Sequence, residues 1–222
     1  MKRLNGITSK DPEFSPYVIN NELIYVHIPV RNLVDKIIGS VVNGKSYIMH
    51  TGVGDQVNLA AGKTFASSIQ SEFRNGPVCY SPLESLLYFT STYSSSEMKK
   101  GGIFEGVLKK KIMAVSMSAD GKVGREIKSL SFNTTTCNIM HPAVDQNASR
   151  IYFASDMQGS LGGYDIWMCE KQNGEWGKPI NMGPGINTIG NELYPFISSE
   201  GVLYFSSDGR PGLGCLDIFT AD

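Results

Sequence analysis

Short apolar runs alternate with polar, glycine-rich breaks along most of the chain, and the spacing of an amphipathic helix is nearly absent. The pattern is clearest from His141 to Trp167. His141-Pro142-Ala143-Val144-Asp145, then Ser149-Arg150-Ile151-Tyr152-Phe153-Ala154-Ser155-Asp156, then Gly159-Ser160-Leu161-Gly162-Gly163-Tyr164-Asp165-Ile166-Trp167 read as strand, turn, strand, glycine-rich turn, strand. The same order returns from Tyr194. Tyr194-Pro195-Phe196-Ile197-Ser198 leads to Gly201-Val202-Leu203-Tyr204-Phe205-Ser206-Ser207-Asp208 and Gly212-Leu213-Gly214-Cys215-Leu216-Asp217-Ile218-Phe219. Two copies of one unit are therefore visible without any alignment.

Weaker copies precede them. Phe14 to Ile19, the turn pair Asn20-Asn21 and Glu22 to Val26 repeat the proline, turn and aliphatic-Tyr-apolar order. Gly76-Pro77-Val78-Cys79-Tyr80-Ser81 and Leu86-Leu87-Tyr88-Phe89-Thr90-Ser91 give a second copy. Asn43-Gly44, Asp120-Gly121 and Asn173-Gly174 are hairpin turns, and Lys109 to Met117, Val123 to Leu130 and Trp176 to Met182 supply further strands. Val30 to Val42 reads as an irregular insertion, with room for one helical turn, and Ser94 to Gly102 as a surface loop.

Each unit thus holds about four short strands over roughly 50 to 65 residues, near the upper range for propeller blades. Such a unit cannot bury both faces alone, and repetition about an axis solves this by packing blade on blade. The expected fold class is all-β: one β-propeller domain over residues 1–222, with four-stranded antiparallel blades and motifs near 14–26, 76–91, 141–167 and 194–219. The doublets Tyr88-Phe89, Tyr152-Phe153 and Tyr204-Phe205 should put one ring on each face of a blade.

Composition narrows the picture only slightly. The 24 glycines among 222 residues suit many tight turns, and a net charge of −1 gives no footprint for nucleic acid. No apolar stretch reaches transmembrane length, and Met1 to Asp11 is not a signal peptide. Cys79, Cys137, Cys169 and Cys215 lack Cys-x-x-Cys spacing and read as free, mostly buried thiols, with a single disulfide of unassigned pairing as the alternative.

These residues resemble the TolB-type propeller repeats of large Bacteroidetes envelope proteins, above all the PorE-type components of the type IX secretion system. The resemblance rests on His141-Pro142-Ala143, the Tyr-Phe-x-Ser-Asp strands, Gly162-Gly163-Tyr164-Asp165-Ile166-Trp167, Trp176-Gly177-Lys178-Pro179-Ile180-Asn181-Met182-Gly183, Ile186-Asn187-Thr188 and Gly212 to Phe219. Cys215 stands where the family usually has a second glycine before the Leu-Asp-Ile-Phe, and cysteine tolerates φ > 0 poorly. The resemblance implies a non-enzymatic scaffold, periplasmic and associated with the outer membrane, that docks other envelope or secretion-system proteins. It implies no cofactor, and peptidoglycan would be bound only through an OmpA-like domain that these residues do not contain. Family propellers also have more blades, so the chain is expected to be part of a larger ring; closure by Lys2 to Ser9 is the alternative.

The repeated residues Pro142, Tyr152, Phe153, Asp156, Gly162, Gly163, Asp165, Trp167, Pro195, Tyr204, Phe205, Asp208, Gly214, Asp217 and Phe219 are expected to build blades. For the aspartates a cation site is the competing reading; recurrence favours carboxylates that accept backbone N–H groups in turns. His141 is expected near the axis rather than in a metal site. Lys99-Lys100 and Lys109 to Lys111 read as solvated loop and edge charge rather than a docking patch for an acidic partner. No nucleophile elbow, zinc helix or phosphate loop is present, so no catalytic residue is assigned. The second reading is a carbohydrate-binding or glycoside-processing propeller, which requires paired carboxylates on the axis.

Overall fold

A computed structural model describes residues 13–29, 46–52, 62–69, 75–93 and 109–221. The insertion at Val30 to Val42, the Asn43-Gly44 turn, the Ser94 to Gly102 loop and Lys2 to Ser9 lie outside these described residues. Four antiparallel sheets form a β-propeller, and the only helical element among the described residues is a 3-10 turn at Ser67–Ile69.

The first blade contains β1 (Glu13–Ile19), β2 (Glu22–His27), β3 (Tyr47–Gly52) and β4 (Lys63–Thr64) in that order. The second contains β5 (Asn75–Ser81), β6 (Leu86–Tyr93), β7 (Lys109–Met117) and β8 (Val123–Ser129). The third is β9 (Ile139–Val144), β10 (Arg150–Ser155) and β11 (Asp165–Gln172), edged by β12 (Glu175–Trp176) and β13 (Ile180–Asn181). The fourth has three strands, β14 (Glu192–Ile197), β15 (Leu203–Ser207) and β16 (Asp217–Ala221). The stretch Trp176 to Met182 is thus not one strand: Gly177-Lys178-Pro179 breaks it, because proline cannot donate to the ladder. Asn173 (φ 52°) and Gly174 (φ 84°) adopt the left-handed turn that the Asn-Gly pair favours.

Three apolar layers separate the blades. In the layer between the first and second, Ile24 and Ile48 meet Leu87 and Phe89. In the next, Tyr88 and Ile112 meet Ile151, Phe153 and Trp167. In the third, Tyr152 and Ile166 meet Leu203 and Phe205. Tyr88 and Tyr152 therefore point forward, toward the next blade in the chain, and Phe89, Phe153 and Phe205 point backward. Burying each large side chain contributes roughly 1.5–3 kcal/mol.

The first blade departs by one residue from the sequence expectation. There Ile24 faces forward, while Tyr25 lies on the opposite face with Leu23 and Met49. Tyr25 takes the place of the doublet phenylalanine, not the tyrosine. A one-residue slip exchanges the faces of a strand, and Tyr17 paired with Ile24 fixes it here.

The innermost strand of each blade carries a proline and a register shift beside it: β1, β5 and β14 between Phe14/Tyr17, Asn75/Val78 and Leu193/Phe196, and β9 through its pairing with β10. Ser15 (φ 55°), His141 (φ 59°) and Tyr194 (φ 54°), each just before its proline, are left-handed. These bulges re-aim the strand beside the axis.

Candidate functional site

The bulged inner strands converge on an axial cavity of about 540 Å³, walled by Pro16, Pro77, Pro142 and Pro195 with Phe14, Tyr17, His141, Tyr194 and Phe196. This is within the size range of ligand pockets. No carboxylate is among the described lining residues.

His141 sits where expected, buried beside the axis. Its ring stacks on Tyr194 at 4.1 Å and 10°, and Phe14 meets Tyr194 edge-on at 6.5 Å. Its Nδ1 accepts the Tyr194 backbone N–H at 3.4 Å, and its own backbone N–H donates to Thr90 Oγ1 at 2.9 Å. Burial, with Lys110 nearby, pushes the imidazole down to about 3, so it is neutral at physiological pH. Cys79 is likewise a thiol and not a nucleophilic thiolate: burial pushes it up to about 11. The Val144 N–H donates to its sulfur at 3.2 Å. Tyr17 donates to the Tyr80 carbonyl at 3.4 Å, and burial holds its phenol above the ordinary range. Among the described residues the axis is therefore lined mainly by apolar and aromatic side chains.

The aspartates do different work at the blade ends. Asp156 accepts the Asn138 backbone N–H at 2.6 Å and its side-chain amide at 2.8 Å. Asp208 accepts the same two groups of Asn191 at 2.6 and 2.9 Å, which hold its carboxyl below the usual range. Asp165, fully buried, accepts Leu161 N–H at 2.8 Å, Gly162 N–H at 3.4 Å and Asn181 Nδ2–H at 2.7 Å. Each of these carboxylates accepts at least one backbone N–H group at a blade end. Asp217 accepts Gly214 N–H at 3.2 Å.

Gly162 and Gly163 are needed for close approach: a Cβ would stand 2.4 Å from the Gly190 carbonyl oxygen and 2.3 Å from Asn191 Oδ1, respectively. Gly214 has φ 121° with open space around it, and Cys215 is left-handed at φ 57°. That cysteine therefore occupies the conformation it tolerates poorly. Trp167 pairs with Phe153 across the strands and packs backward, Phe153 stacks on Phe132 at 4.9 Å, and Phe205 and Phe219 lie 6.1 Å apart. Pro142 and Pro195 line the axis. Cys79, Cys137 and Cys169 are free and buried, and Cys215 is free and exposed.

One expectation changes, and one set of residues gains a role. Lys109 to Lys111 are half-buried in β7, where they pair with Ser91, Thr92 and Tyr93 of β6, rather than lying as solvated charge; the Lys99-Lys100 loop lies outside the described residues. Asparagines that carried no assigned role turn out to organise the blades. Asn187, buried, accepts Ile166 N–H at 2.7 Å and donates to the Ile166 carbonyl at 2.9 Å. The signal was available: Asn138 and Asn191 precede their aspartates by 18 and 17 residues.

A clamp joins the second and third blades away from the axis. Lys171 contacts the Glu84 carboxylate, Tyr88 donates to Glu84 at 2.8 Å, and Lys171 Nζ lies 4.2 Å from the Trp176 ring centroid.

No family model matches the chain, and no curated protein matches it. Solved structures do. TolB from Acinetobacter baumannii aligns with a TM-score of 0.55 at 15% identity, over 97% of this chain and 42% of that one. A puromycin-hydrolysing peptidase from Mycobacterium tuberculosis aligns with a TM-score of 0.51 at 11% identity, over 98% and 31%. A thermostable family-43 glycoside hydrolase aligns with a TM-score of 0.50 at 13% identity, over 91% and 72%. The chain spans less than half the length of the TolB and peptidase structures. At such identities the likeness is one of fold, and that fold is a TolB-like β-propeller.

Proposed function

We propose that the chain is a non-catalytic, protein-binding scaffold propeller of a bacterial cell-envelope complex. The observation that carries the reading is the axis: prolines from all four blades and stacked aromatic rings, with no carboxylate among the described lining residues, a neutral histidine and a protonated thiol. Such a surface can bind apolar side chains but holds no acid–base pair. The glycoside-processing reading needs two carboxylates flanking the scissile bond, and none is among the described lining residues.

The repeat motifs extend the proposal to a PorE-like component of a type IX secretion or gliding-type machine. Its partners are other envelope proteins, and its place is the periplasm, associated with the outer membrane. Peptidoglycan contact would belong to a separate OmpA-like domain. No helix among the described residues is long and apolar enough to cross a membrane. The test is affinity capture of the tagged full-length protein from cross-linked envelope fractions. Reproducible recovery of one or more envelope proteins, lost on Tyr194→Asp, is expected; recovery of none overturns the reading.

A further inference from the structure

Three loops leave the third and fourth blades at the same end, where Ser155 pairs with Asp165, Glu192 with Ser207, and Ser207 with Asp217. They pack on one another: Gly163 N–H donates to the Gly190 carbonyl at 2.8 Å, and Asp208 N–H to the Asn191 carbonyl at 3.2 Å. Buried carboxylates brace two of them. Asp165 accepts Leu161 N–H at 2.8 Å, and Glu192 accepts Thr188 N–H at 2.8 Å and its hydroxyl at 2.7 Å. The third is held by Asp217, which accepts Gly214 N–H at 3.2 Å. Aliphatic side chains stand out of this braced layer: Leu161, Ile189 and Leu213 are 48%, 89% and 102% exposed. Leu161 and Leu213 hold the same place in the repeat, four residues before the motif aspartate. Leu161 stays half exposed even though the Ile189 and Gly190 backbone packs directly on Gly162, so the exposure belongs to the finished layer.

We propose that this end of the propeller is a lipid-contacting surface, and that Leu161, Ile189 and Leu213 dip into the interface of a bilayer. Single exposed aliphatic residues are commonplace, but three on loops packed against each other form a patch. Shape, charge and stiffness point to the partner. Ile189 and Leu213 stand almost wholly in solvent, so each is a projecting wedge rather than a wall for a peptide. Loops 156–164, 183–191 and 208–216 carry only Asp156, Asp208 and Arg210 as charged residues. Asp156 and Asp208 are each held by an asparagine, and the Arg210 guanidinium donates to the Gly185 and Ile186 carbonyls at 2.6 and 2.8 Å. No cation in these loops is therefore left to seek anionic headgroups, and insertion rests on apolar area instead. Because the loops are already braced, contact costs them little conformational freedom. None of the three side chains lines the axial cavity, so this surface is separate from the one that the scaffold reading uses. Attachment through three side chains alone is weak and reversible.

The experiment is flotation of the purified 222-residue chain with vesicles of phosphatidylcholine alone and of phosphatidylcholine mixed with phosphatidylglycerol. Comparable binding to both, insensitive to salt, is expected. Leu161→Ser, Ile189→Ser and Leu213→Ser together should lower the partition coefficient by at least about tenfold and leave the urea midpoint unchanged, since these exposed side chains support no core. An environment-sensitive maleimide dye on Cys215, the exposed thiol two residues from Leu213, reports the contact directly: its emission should shift to the blue on vesicles. No flotation with either vesicle, equal flotation of the triple variant, or an unshifted dye overturns the proposal. So does binding that needs phosphatidylglycerol and vanishes in salt, which is electrostatic attachment through another surface. A lipid-free dimer that the same substitutions disperse also overturns it, because the surface then belongs to a second copy.

Discussion

In the third blade the motif aspartate Asp165 is fully buried, gripped by two backbone amides and by Asn181 from the outer strand. In the fourth the matching Asp217 is only partly buried and accepts Gly214 N–H at 3.2 Å. The first glycine and the aspartate are the same; Cys215 replaces Gly163, and the surroundings differ as well. The third blade has outer strands in β12 and β13 and a following blade whose Ile189 to Asn191 loop presses on Gly162 and Gly163. The fourth has neither in the described residues, and its glycine loop relaxes into left-handed Gly214 and Cys215. The local motif proposes a turn; the neighbouring elements fix its geometry.

Paired substitutions can break that comparison. The largest contrast is expected between Phe153→Ala and Phe219→Ala. Phe153 is 0% exposed and stacked on Phe132, so its loss should cost about 3–5 kcal/mol, whereas the half-buried Phe219 should cost less than about half of that. Urea unfolding of both variants measures the difference, and equal costs would show that the fourth blade is packed as tightly as the third. Next comes Asp165→Ala, which strands the Leu161 and Gly162 amides and the Asn181 side chain and should cost about 1–3 kcal/mol. Asp217→Ala should leave the urea midpoint nearly unchanged.

A smaller effect separates the axis from both blades. His141 is neutral when folded, with its imidazole pushed down to about 3, but takes up a proton in the unfolded chain near its ordinary value of about 6.5. Stability should be level above that value and fall as pH drops from about 6.5 toward 3, with a limiting slope of about 1.4 kcal/mol per pH unit. His141→Asn tolerates the left-handed backbone and should flatten the slope between pH 7 and about 4.5. An unchanged slope would assign the acid response to other groups. Smallest is thiol access: at pH 8 a disulfide reagent should label Cys215 at once, and Cys79, Cys137 and Cys169 only as the chain unfolds. Prompt labelling of Cys169 would mean that the layer between the second and third blades opens freely.

The propeller was legible because its unit is short and repeats with the same side chains. Tyr152-Phe153 and Tyr204-Phe205 state two faces in two adjacent letters, and a strand must place them on opposite sides. The first blade was legible only in outline. Ile24-Tyr25 looks like the doublet, but its facing is set by the bulge between Phe14 and Tyr17, and no local pattern fixes that register. The roles of Asn181 and Asn187 were hidden for another reason: both reach across strands to close Asp165 and Ile166, so their function exists only once β13 lies against β11. The axial cavity is a product of convergence. Pro16, Pro77, Pro142 and Pro195 were each visible as strand punctuation, but their meeting is a property of the ring.

The forward tyrosine and backward phenylalanine also have a consequence for biosynthesis. As the chain leaves the ribosome, each emerging blade can finish the core of the one before it but never its own. Tyr88 must wait for Ile151 and Phe153, and Tyr152 for Leu203 and Phe205. Assembly therefore runs as a relay from the N-terminus, with one sticky apolar face always exposed at the growing end. A ribosomal pause within a blade would prolong that exposure, so chaperone demand should peak one blade behind the exit tunnel.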